Sequence, residues 1–283
     1  MVHDANLSLW NWLRLEEEPR QAVNAWLHHP NADGRGVRVA IIDTGIDEQL
    51  LMQRNSRLGQ TVPAITGGIF QKGLEAPLPY SGQQSAPHGT TVADIVLKMA
   101  PAVQLFSADI FGPRGIADLE ALIQAIYYAT EQWKCHILNI SLGVTEQRLQ
   151  TAIRKQQLAR AVEDCYQRGI LIVAAAHNDH PTTRSYPALF APAVLSVTVG
   201  PNDPWRVVYT TDQDVEFGAC GRGQVGPFAE EPATSWAAPH LTGLAARLLS
   251  LHPELRPFEL KTLLYWWAQH EKGTPPPAYS PRG

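Results

Sequence analysis

The sequence has little of several features that would place it in a special structural class. Its 283 residues include only three cysteines, scattered and odd in number, which argues against a disulfide framework and predicts free thiols in a reducing compartment: Cys135, Cys165 and Cys220. No stretch approaches the roughly 18 consecutive apolar residues of a membrane-spanning helix. No run of lysine and arginine is present and the formal net charge is −4, which argues against nucleic acid and anionic membranes as partners.

The N-terminus also lacks the signal of an exported protein. Its first residues, Met-Val-His-Asp-Ala-Asn-Leu, do not place a basic segment before an apolar one, so the sequence predicts no secretory signal peptide. Together with the unpaired cysteines, this predicts a cytoplasmic protein. The apolar fraction of 45% is ordinary for a globular protein and supplies one sizeable core.

The sequence does contain a regular alternation of apolar strands and amphipathic helices. Apolar runs typical of buried strands occupy residues 37–42, 104–108, 137–140, 170–175 and 194–199. Helices are predicted after residue 115, around residues 158–165, at 235–250 and at 258–269. Repeated strand–helix–strand units form parallel sheets, and strands without polar alternation are buried on both faces. The sequence therefore predicts a three-layer α/β fold, with a mostly parallel central sheet and helices on both faces.

One large domain is predicted for most of the chain. We expect residues 1–35 to form an N-terminal helical cap, residues 36–272 the main domain, and the proline-rich residues 273–283 a tail that cannot continue a helix. Residues 49–86 are rich in Gly, Pro, Ser and Gln, which predicts loop and hairpin.

Three short segments contain residues that suit nucleophilic catalysis. Asp43 ends the first predicted strand, His88 would open a helix, and Ser235 would begin another. Taken singly, each has an ordinary explanation as a turn aspartate, a packed histidine or a helix-capping serine. A serine hydroxyl becomes a good nucleophile only beside a base that an acid orients. The order Asp, His, Ser, with about 45 and then about 150 residues between them, is that of the subtilisin triad.

From about residue 34 to about residue 268, the chain resembles the subtilisin-like serine proteases, the subtilases. Five ordered segments carry this resemblance: Val37–Ile46, Pro87–Thr90, Asn139–Gly143, Ala174–Asn178 and Thr234–Gly243. The resemblance implies that Ser235 attacks the scissile carbonyl, that His88 takes its proton and gives it to the leaving amine, and that Asp43 orients His88. It also implies that the side-chain amide of Asn178 and the backbone N–H of Ser235 hold the oxyanion.

The resemblance further implies an extended peptide or protein substrate. This substrate would pair with the backbone of Ser141, Leu142 and Gly143, with Gly112 in the opposite wall. His177 would line the pocket for the residue before the cleaved bond. No cofactor is expected. No metal site is predicted either, because no spaced cluster supports zinc and no carboxylate-rich loop supports the calcium that is common in the family.

The sequence departs from the family pattern close to these residues. Trp236 follows the serine where methionine is commonest, Ala233 replaces a glycine, and His177 replaces a glycine in the pocket wall. About 35 residues precede the first core strand, too few for the pro-segment of secreted subtilases. We therefore expect a protease restricted to a dedicated peptide or protein substrate, with a substrate or regulatory protein as its partner.

Two other functions fit the same residues. A catalytically idle module would bind peptides without turnover, which Trp236 and Ala233 favour and the intact Asp43, His88 and Ser235 oppose. A peptide ligase or macrocyclase would pass the acyl group to an amine instead of water. This last difference depends on how water is excluded from the intermediate, which the sequence does not specify.

Overall fold

A computed structural model describes residues 19–57, 59, 61–112, 115–210, 214–223 and 231–269 of the chain. Within these residues, strands and helices alternate for most of the length. The strands are β1 (Arg38–Asp43), β2 (Thr66–Ile69), β3 (Leu78–Pro79), β4 (Gln104–Asp109), β5 (Ile137–Ile140), β6 (Val144–Thr145), β7 (Leu171–Ala175), β8 (Ser185–Tyr186), β9 (Val194–Val199), β10 (Val208–Tyr209) and β11 (Phe217–Ala219). The helices are α1 (Pro19–Leu27), α2 (Glu48–Ser56), α3 (Pro87–Met99), α4 (Leu119–Glu131), α5 (Glu146–Leu149), α6 (Ala152–Gln167), α7 (Thr234–Leu251) and α8 (Pro257–Gln269).

A nine-stranded sheet forms the middle layer, in the order β10-β11-β9-β7-β5-β1-β4-β2-β3. The strands from β11 to β2 run parallel to one another, and β10 and β3 pair antiparallel at the two edges. Strands β6 and β8 form a separate antiparallel ribbon. This topology confirms the predicted mostly parallel sheet.

Both faces of the sheet are covered by helices. Along β1, Val39 and Ile41 join a core with α3, α7 and α8, whereas Ala40 and Ile42 join a second core with α4 and α6. Successive side chains of a strand point to opposite faces, so a strand buried on both faces has apolar residues at every position. The three-layer α/β prediction is therefore confirmed.

The prediction for residues 49–86 is wrong in part. It placed only loop and hairpin there, but α2 occupies Glu48–Ser56, with the Asp47 side chain accepting a hydrogen bond from the Leu50 N–H at 2.9 Å. The hairpin exists as β2 and β3, and β2 also extends the main sheet beside β4. Strand pairing uses backbone groups, so glycines such as Gly67 and Gly68 can take part without an apolar pattern.

Helix α1 packs against α7 and α8. The C-terminal end of α1 is fixed by Arg247 of α7, which donates a hydrogen bond from Nε to the Leu27 carbonyl at 2.6 Å. Arg247 also donates from Nη1 to the Met99 carbonyl at 2.9 Å. Residues 1–18 of the predicted cap and the whole predicted tail, 273–283, lie outside the described residues. The boundaries of the cap and main domain stay predictions.

The three cysteines are buried and free, as expected from their spacing. Among the described helices, none is both long and apolar enough to cross a lipid bilayer.

Candidate active site

The candidate residues gather where the parallel strands end. Asp43 is the last residue of β1, and its neighbours β5 and β4 lead directly into Ser141 and into the loop of Gly112. Strand β7, beside β5, leads to Asn178 three residues after its end. In parallel sheets, ligands bind at the carboxyl ends of the strands, so this edge is the expected position for a site.

Asp43 and His88 are joined directly. The Nδ1 of His88 lies 2.8 Å and 3.0 Å from the two carboxylate oxygens of Asp43. Asp43 is 1% exposed and also accepts a hydrogen bond from the Thr44 N–H at 2.7 Å, whereas the His88 side chain is 29% exposed. A buried carboxylate in this position holds the proton on Nδ1 and leaves Nε2 as the basic nitrogen.

Thr44 and two glycines place His88 beside Asp43. The Thr44 hydroxyl donates to the Ala86 carbonyl at 2.7 Å and accepts from the Gly89 N–H at 2.9 Å. A Cβ atom at Gly89 would overlap the carbonyl oxygen of Gly45, so only glycine allows this approach. Helix α3 therefore begins against the end of β1, with His88 in its first turn.

The surroundings of His88 act on its pKa in opposite directions. Burial lowers the pKa, whereas the negative charge of Asp43 and the hydrogen bond to it raise the pKa. The influence of Asp43 is the greater in sum, so the pKa of His88 lies above its ordinary value of 6.5. The imidazolium is thus stabilised in the folded protein.

Ser235 lies in the first turn of α7, which packs closely against α3. The close approach depends on Gly243, where a Cβ atom would overlap the Met99 side chain. Trp236, the residue after Ser235, has its ring 4.7 Å from the ring of His88. Within the described part of the chain, no hydrogen bond joins the Ser235 hydroxyl to His88. Such bonds are often long in substrate-free enzymes and tighten when substrate binds.

Asn178 is fixed by the residue before Ser235. Its side-chain carbonyl accepts hydrogen bonds from the Thr234 N–H at 3.0 Å and the Thr234 hydroxyl at 2.9 Å. The same hydroxyl lies 2.6 Å from the Ala176 carbonyl. Because Oδ1 is occupied by Thr234, the amide orientation is set and Nδ2 is the donor that Asn178 offers to a ligand. The residues on both sides of Ser235 thus contact His88 and Asn178.

A model of the subtilase family matches residues 34–278. The chain belongs to the subtilase family. It is 26% identical over 263 residues to the minor extracellular protease Epr of Bacillus subtilis (strain 168), covering 88% of this chain and 36% of Epr. It is 28% identical to subtilisin BL of Lederbergia lenta, covering 80% of this chain and 81% of that protein. The chain therefore spans about a third of the length of Epr, and 57–60% of several further relatives.

Solved structures give the same fold. Sphericase has a TM-score of 0.62 at 22% identity, with 88% of this chain and 89% of that chain covered. This agreement shows that the sheet and helix layers of this subtilase have the subtilisin-like arrangement.

The predicted substrate-binding residues of this subtilase flank the end of β1. Ser141 is buried and its hydroxyl accepts from the Asn139 amide at 2.9 Å, whereas Gly143 is exposed. On the other side, the Gly112 N–H donates to the Asp109 carboxylate at 2.9 Å, and Gly112 has φ +58, a conformation that favours glycine. The structure thus places these segments on opposite sides of Asp43.

His177 and Asp179 contact each other beside Asn178. The Nδ1 of His177 accepts from the Asp179 N–H at 3.2 Å and lies 3.6 Å from the Asp179 carboxylate. The His177 side chain is 33% exposed, so it is accessible to a ligand. No group of three or more His, Cys, Asp or Glu side chains that could hold a metal ion is found among the described residues.

Thr44, Thr234 and Asp109 hold the candidate site together, although none of them was predicted to do so. Thr44 and Thr234 lie directly beside Asp43 and Ser235 in the sequence, and this adjacency was the available signal. Asp109 is the register partner of Asp43 on β4; it accepts from the Ser85 hydroxyl and from the N–H groups of the loop that follows β4. Its signal was the same as that of Asp43, a carboxylate that ends an apolar strand.

Proposed function

We propose that this chain is a serine endopeptidase that cleaves peptide bonds through an acyl-enzyme, with Asp43, His88 and Ser235 as its triad. The observation that carries the proposal is the pair of His88–Asp43 hydrogen-bond distances, 2.8 Å and 3.0 Å, beside the start of the helix that contains Ser235. A serine at neutral pH needs such an oriented base to attack a carbonyl.

The reaction begins when the Ser235 oxygen bonds to the carbonyl carbon and its proton passes to Nε2 of His88. That proton then goes to the leaving nitrogen as the carbon–nitrogen bond breaks, which leaves the acyl group on Ser235. Water repeats the sequence: its oxygen bonds to the acyl carbon, its proton passes to His88 and then to the Ser235 oxygen, and the carboxylic acid is released. Asp43 stabilises the imidazolium that forms in each half.

The negative oxygen of each tetrahedral intermediate would be held by Nδ2 of Asn178 and the backbone N–H of Ser235. Two observations support this role. Thr234 orients the Asn178 amide through Oδ1, and Ser235 lies at the N-terminal end of α7, where the helix dipole favours negative charge. Donors that are fixed before the reaction stabilise developing charge without a cost of reorganisation.

The substrate is proposed to be an extended peptide or protein segment that pairs with the backbone at residues 141–143, opposite Gly112. We also propose a narrow range of substrates, with His177 in the pocket before the cleaved bond, because His177 is accessible and the bulky ring of Trp236, the residue after Ser235, packs on His88. A cytoplasmic location belongs to this proposal and rests on the free cysteines, whereas Epr is by its name extracellular.

A fluorophosphonate probe tests the central part of the proposal. We expect the probe to label Ser235, with labelling lost in Ser235→Ala, and mass spectrometry of a peptide incubated with the protein to show two hydrolysed fragments. Absence of labelling would instead support an idle peptide-binding module. Labelling with joined or cyclic products would support a ligase or macrocyclase.

A proteome-wide cleavage profile tests the narrow range of substrates. We expect few proteins to be cleaved, and the cleaved sequences to resemble one another. The Ser235→Ala protein is the negative control. Rapid cleavage of unfolded casein at many unrelated sites would contradict this part of the proposal and leave the hydrolase assignment intact.

A further inference from the structure

Trp236 covers one face of the His88 imidazole. The two ring centroids are 4.7 Å apart and the ring planes are tilted by 34°. Trp236 is 3% exposed, so its indole is fixed by packing, whereas the His88 side chain is 29% exposed. His88 is therefore held at Nδ1 by Asp43 and on its face by an aromatic ring.

Among the described residues, the titratable groups near this pair come from β1, β4, α3 and α7; on α3, Lys98 is paired with the Asp94 carboxylate at 3.0 Å. From β1, Asp43 faces His88 directly. On the next strand, the carboxylate of Asp109 is engaged by Ser85 and by backbone N–H groups. From α7, His240 Nδ1 donates a hydrogen bond to the Trp236 carbonyl at 2.7 Å. Burial, together with the nearby Lys98 cation, lowers the pKa of His240 to about 4, which keeps it neutral near pH 7. Of the described groups named here, His88 is in ring contact with Trp236, and it becomes a cation during the proposed reaction.

We propose that Trp236 is a positioning residue for His88, which holds the ring in place and stabilises the imidazolium that forms when His88 takes the Ser235 proton. This inference rests on the proposed protease function. A cation within about 6 Å of an indole centroid is attracted by the negative face of the ring, and tryptophan is the strongest of the aromatic residues in this respect. Asp43 stabilises the same imidazolium by its negative charge, whereas Trp236 stabilises it through an aromatic ring that does not itself titrate.

The contact should influence catalysis twice. In the free enzyme it favours protonated His88, and so moves the acid limb of the rate profile to higher pH. In the transition state it favours the same imidazolium, and so raises the rate at the alkaline plateau. A cation–π contact of ordinary strength changes each equilibrium about threefold, which corresponds to about 0.5 in pH. Loss of the ring should therefore lower the midpoint and the plateau together.

The first test compares kcat/KM from pH 5 to 9 in the wild-type protein and in Trp236→Leu and Trp236→Phe. For the leucine variant we expect a midpoint about 0.5 lower in pH and a plateau about threefold lower, because apolar cover is kept and the π system is lost. The midpoint and the plateau of the phenylalanine variant should lie between those of the wild-type protein and the leucine variant. An unchanged midpoint in the leucine variant of an active enzyme would overturn this inference alone, whereas an inactive wild-type protein would overturn the proposed function and this inference with it.

A matched control exists at the other end of the same helix. There Trp26 of α1 packs on His252, the residue after α7, with ring centroids 4.4 Å apart. Trp26→Leu removes a similar tryptophan–histidine contact, which lies about 27 Å from Trp236 along the 18-residue helix α7. This variant should leave the midpoint of the pH–rate profile unchanged. A shift equal to that of Trp236→Leu would mean that general destabilisation moves the profile, and would overturn the inference.

Fluorescence tests the contact without turnover. An imidazolium quenches a neighbouring indole more strongly than a neutral imidazole does. We would measure tryptophan fluorescence against pH in Ser235→Ala and in Ser235→Ala/His88→Gln, and subtract the second curve from the first. The difference should titrate with a midpoint above pH 6.5, and adding Trp236→Phe to both proteins should abolish it. A difference that persists in the Trp236→Phe background, or no titration at all, would overturn the inference.

Discussion

Thr44 and Thr234 each tie one member of the candidate triad to another segment of the chain. Thr44 follows Asp43 and bonds both the Ala86 carbonyl and the Gly89 N–H on either side of His88. Thr234 precedes Ser235 and bonds the Asn178 amide with both its N–H and its hydroxyl. The Thr44 hydroxyl donates and accepts at the same time, whereas the Thr234 hydroxyl shares its one proton between the Ala176 carbonyl at 2.6 Å and Asn178 Oδ1 at 2.9 Å.

Replacement of Thr234 tests the orientation of Asn178. Thr234→Val keeps the shape and the N–H donor to Asn178 Oδ1 but removes the hydroxyl, whose proton is shared by Asn178 Oδ1 and the Ala176 carbonyl. We expect kcat to fall about tenfold with little change in KM, the effect of one lost hydrogen bond. Thr234→Ser keeps the donor and should retain most of the wild-type kcat. Steady-state kinetics with a peptide substrate measures both. A valine variant with wild-type kcat would contradict the role given to Thr234.

The pH dependence of the rate tests His88 as the base. His88 accepts a proton only when it is neutral, and its pKa lies above 6.5 because Asp43 outweighs burial. We therefore expect kcat/KM to be constant at alkaline pH and to fall as pH drops, with a midpoint above 6.5. A rate profile that is flat from pH 5 to 8 would exclude His88 as the base.

At the scale of elements, the site depends on how α3 and α7 pack. His88 is in the first turn of α3 and Ser235 in the first turn of α7, and both helices cover the same face of the sheet. Their spacing is limited by Gly243 of α7, where any Cβ would overlap Met99 of α3. The distance between His88 and Ser235 therefore depends on a contact more than two helical turns away from either residue.

Gly243→Ala tests this packing. The overlap with Met99 costs about 1–3 kcal/mol, which exceeds the gain of about 1 kcal/mol in helix propensity, so we expect a lower free energy of unfolding. We also expect kcat to fall about 10- to 100-fold, because a displacement near 1 Å disturbs the reacting geometry. Urea denaturation and steady-state kinetics measure the two effects. Ser250→Ala, in the last turn of the same helix, is the control and should change stability by about 0.5 kcal/mol or less; equal effects in both variants would refute the account.

The main elements could be predicted because burial on both faces leaves a continuous apolar run, as in β1 and β7. Helix α2 could not be predicted in this way, because few of its residues are buried and its apolar periodicity is therefore weak. Leu51 and Asn55 are its buried residues. The candidate triad is identified from local motifs and their order, and its catalytic role stays a prediction. No local pattern specifies contacts between distant segments. Thr234 bonds Asn178 across 56 residues of the chain, and Trp236 packs on His88 across 148 residues.

For the whole molecule, the candidate site depends on elements that are far apart in the chain and adjacent in the fold. Asp43, His88, Asn178 and Ser235 come from four segments, and they lie near one another because β1, β7, α3 and α7 end or begin at the same edge of the sheet. Asp43 contacts His88, and the neighbours of Ser235 contact His88 and Asn178. The apolar cores on both sides fix that edge. A site of this kind acts as a unit, since the base, the acid and the nucleophile have little effect without one another.

The kcat of the double variant Ser235→Ala/His88→Ala, compared with each single variant, tests this unity most directly. Each single substitution should lower kcat by about 10⁶-fold, a scale taken from the measured subtilisin triad, and the double variant should be no slower than either single variant. Equal residual rates in all three proteins are the predicted result. Losses that multiply in the double variant, or a single variant that retains most of its kcat, would contradict the proposed triad.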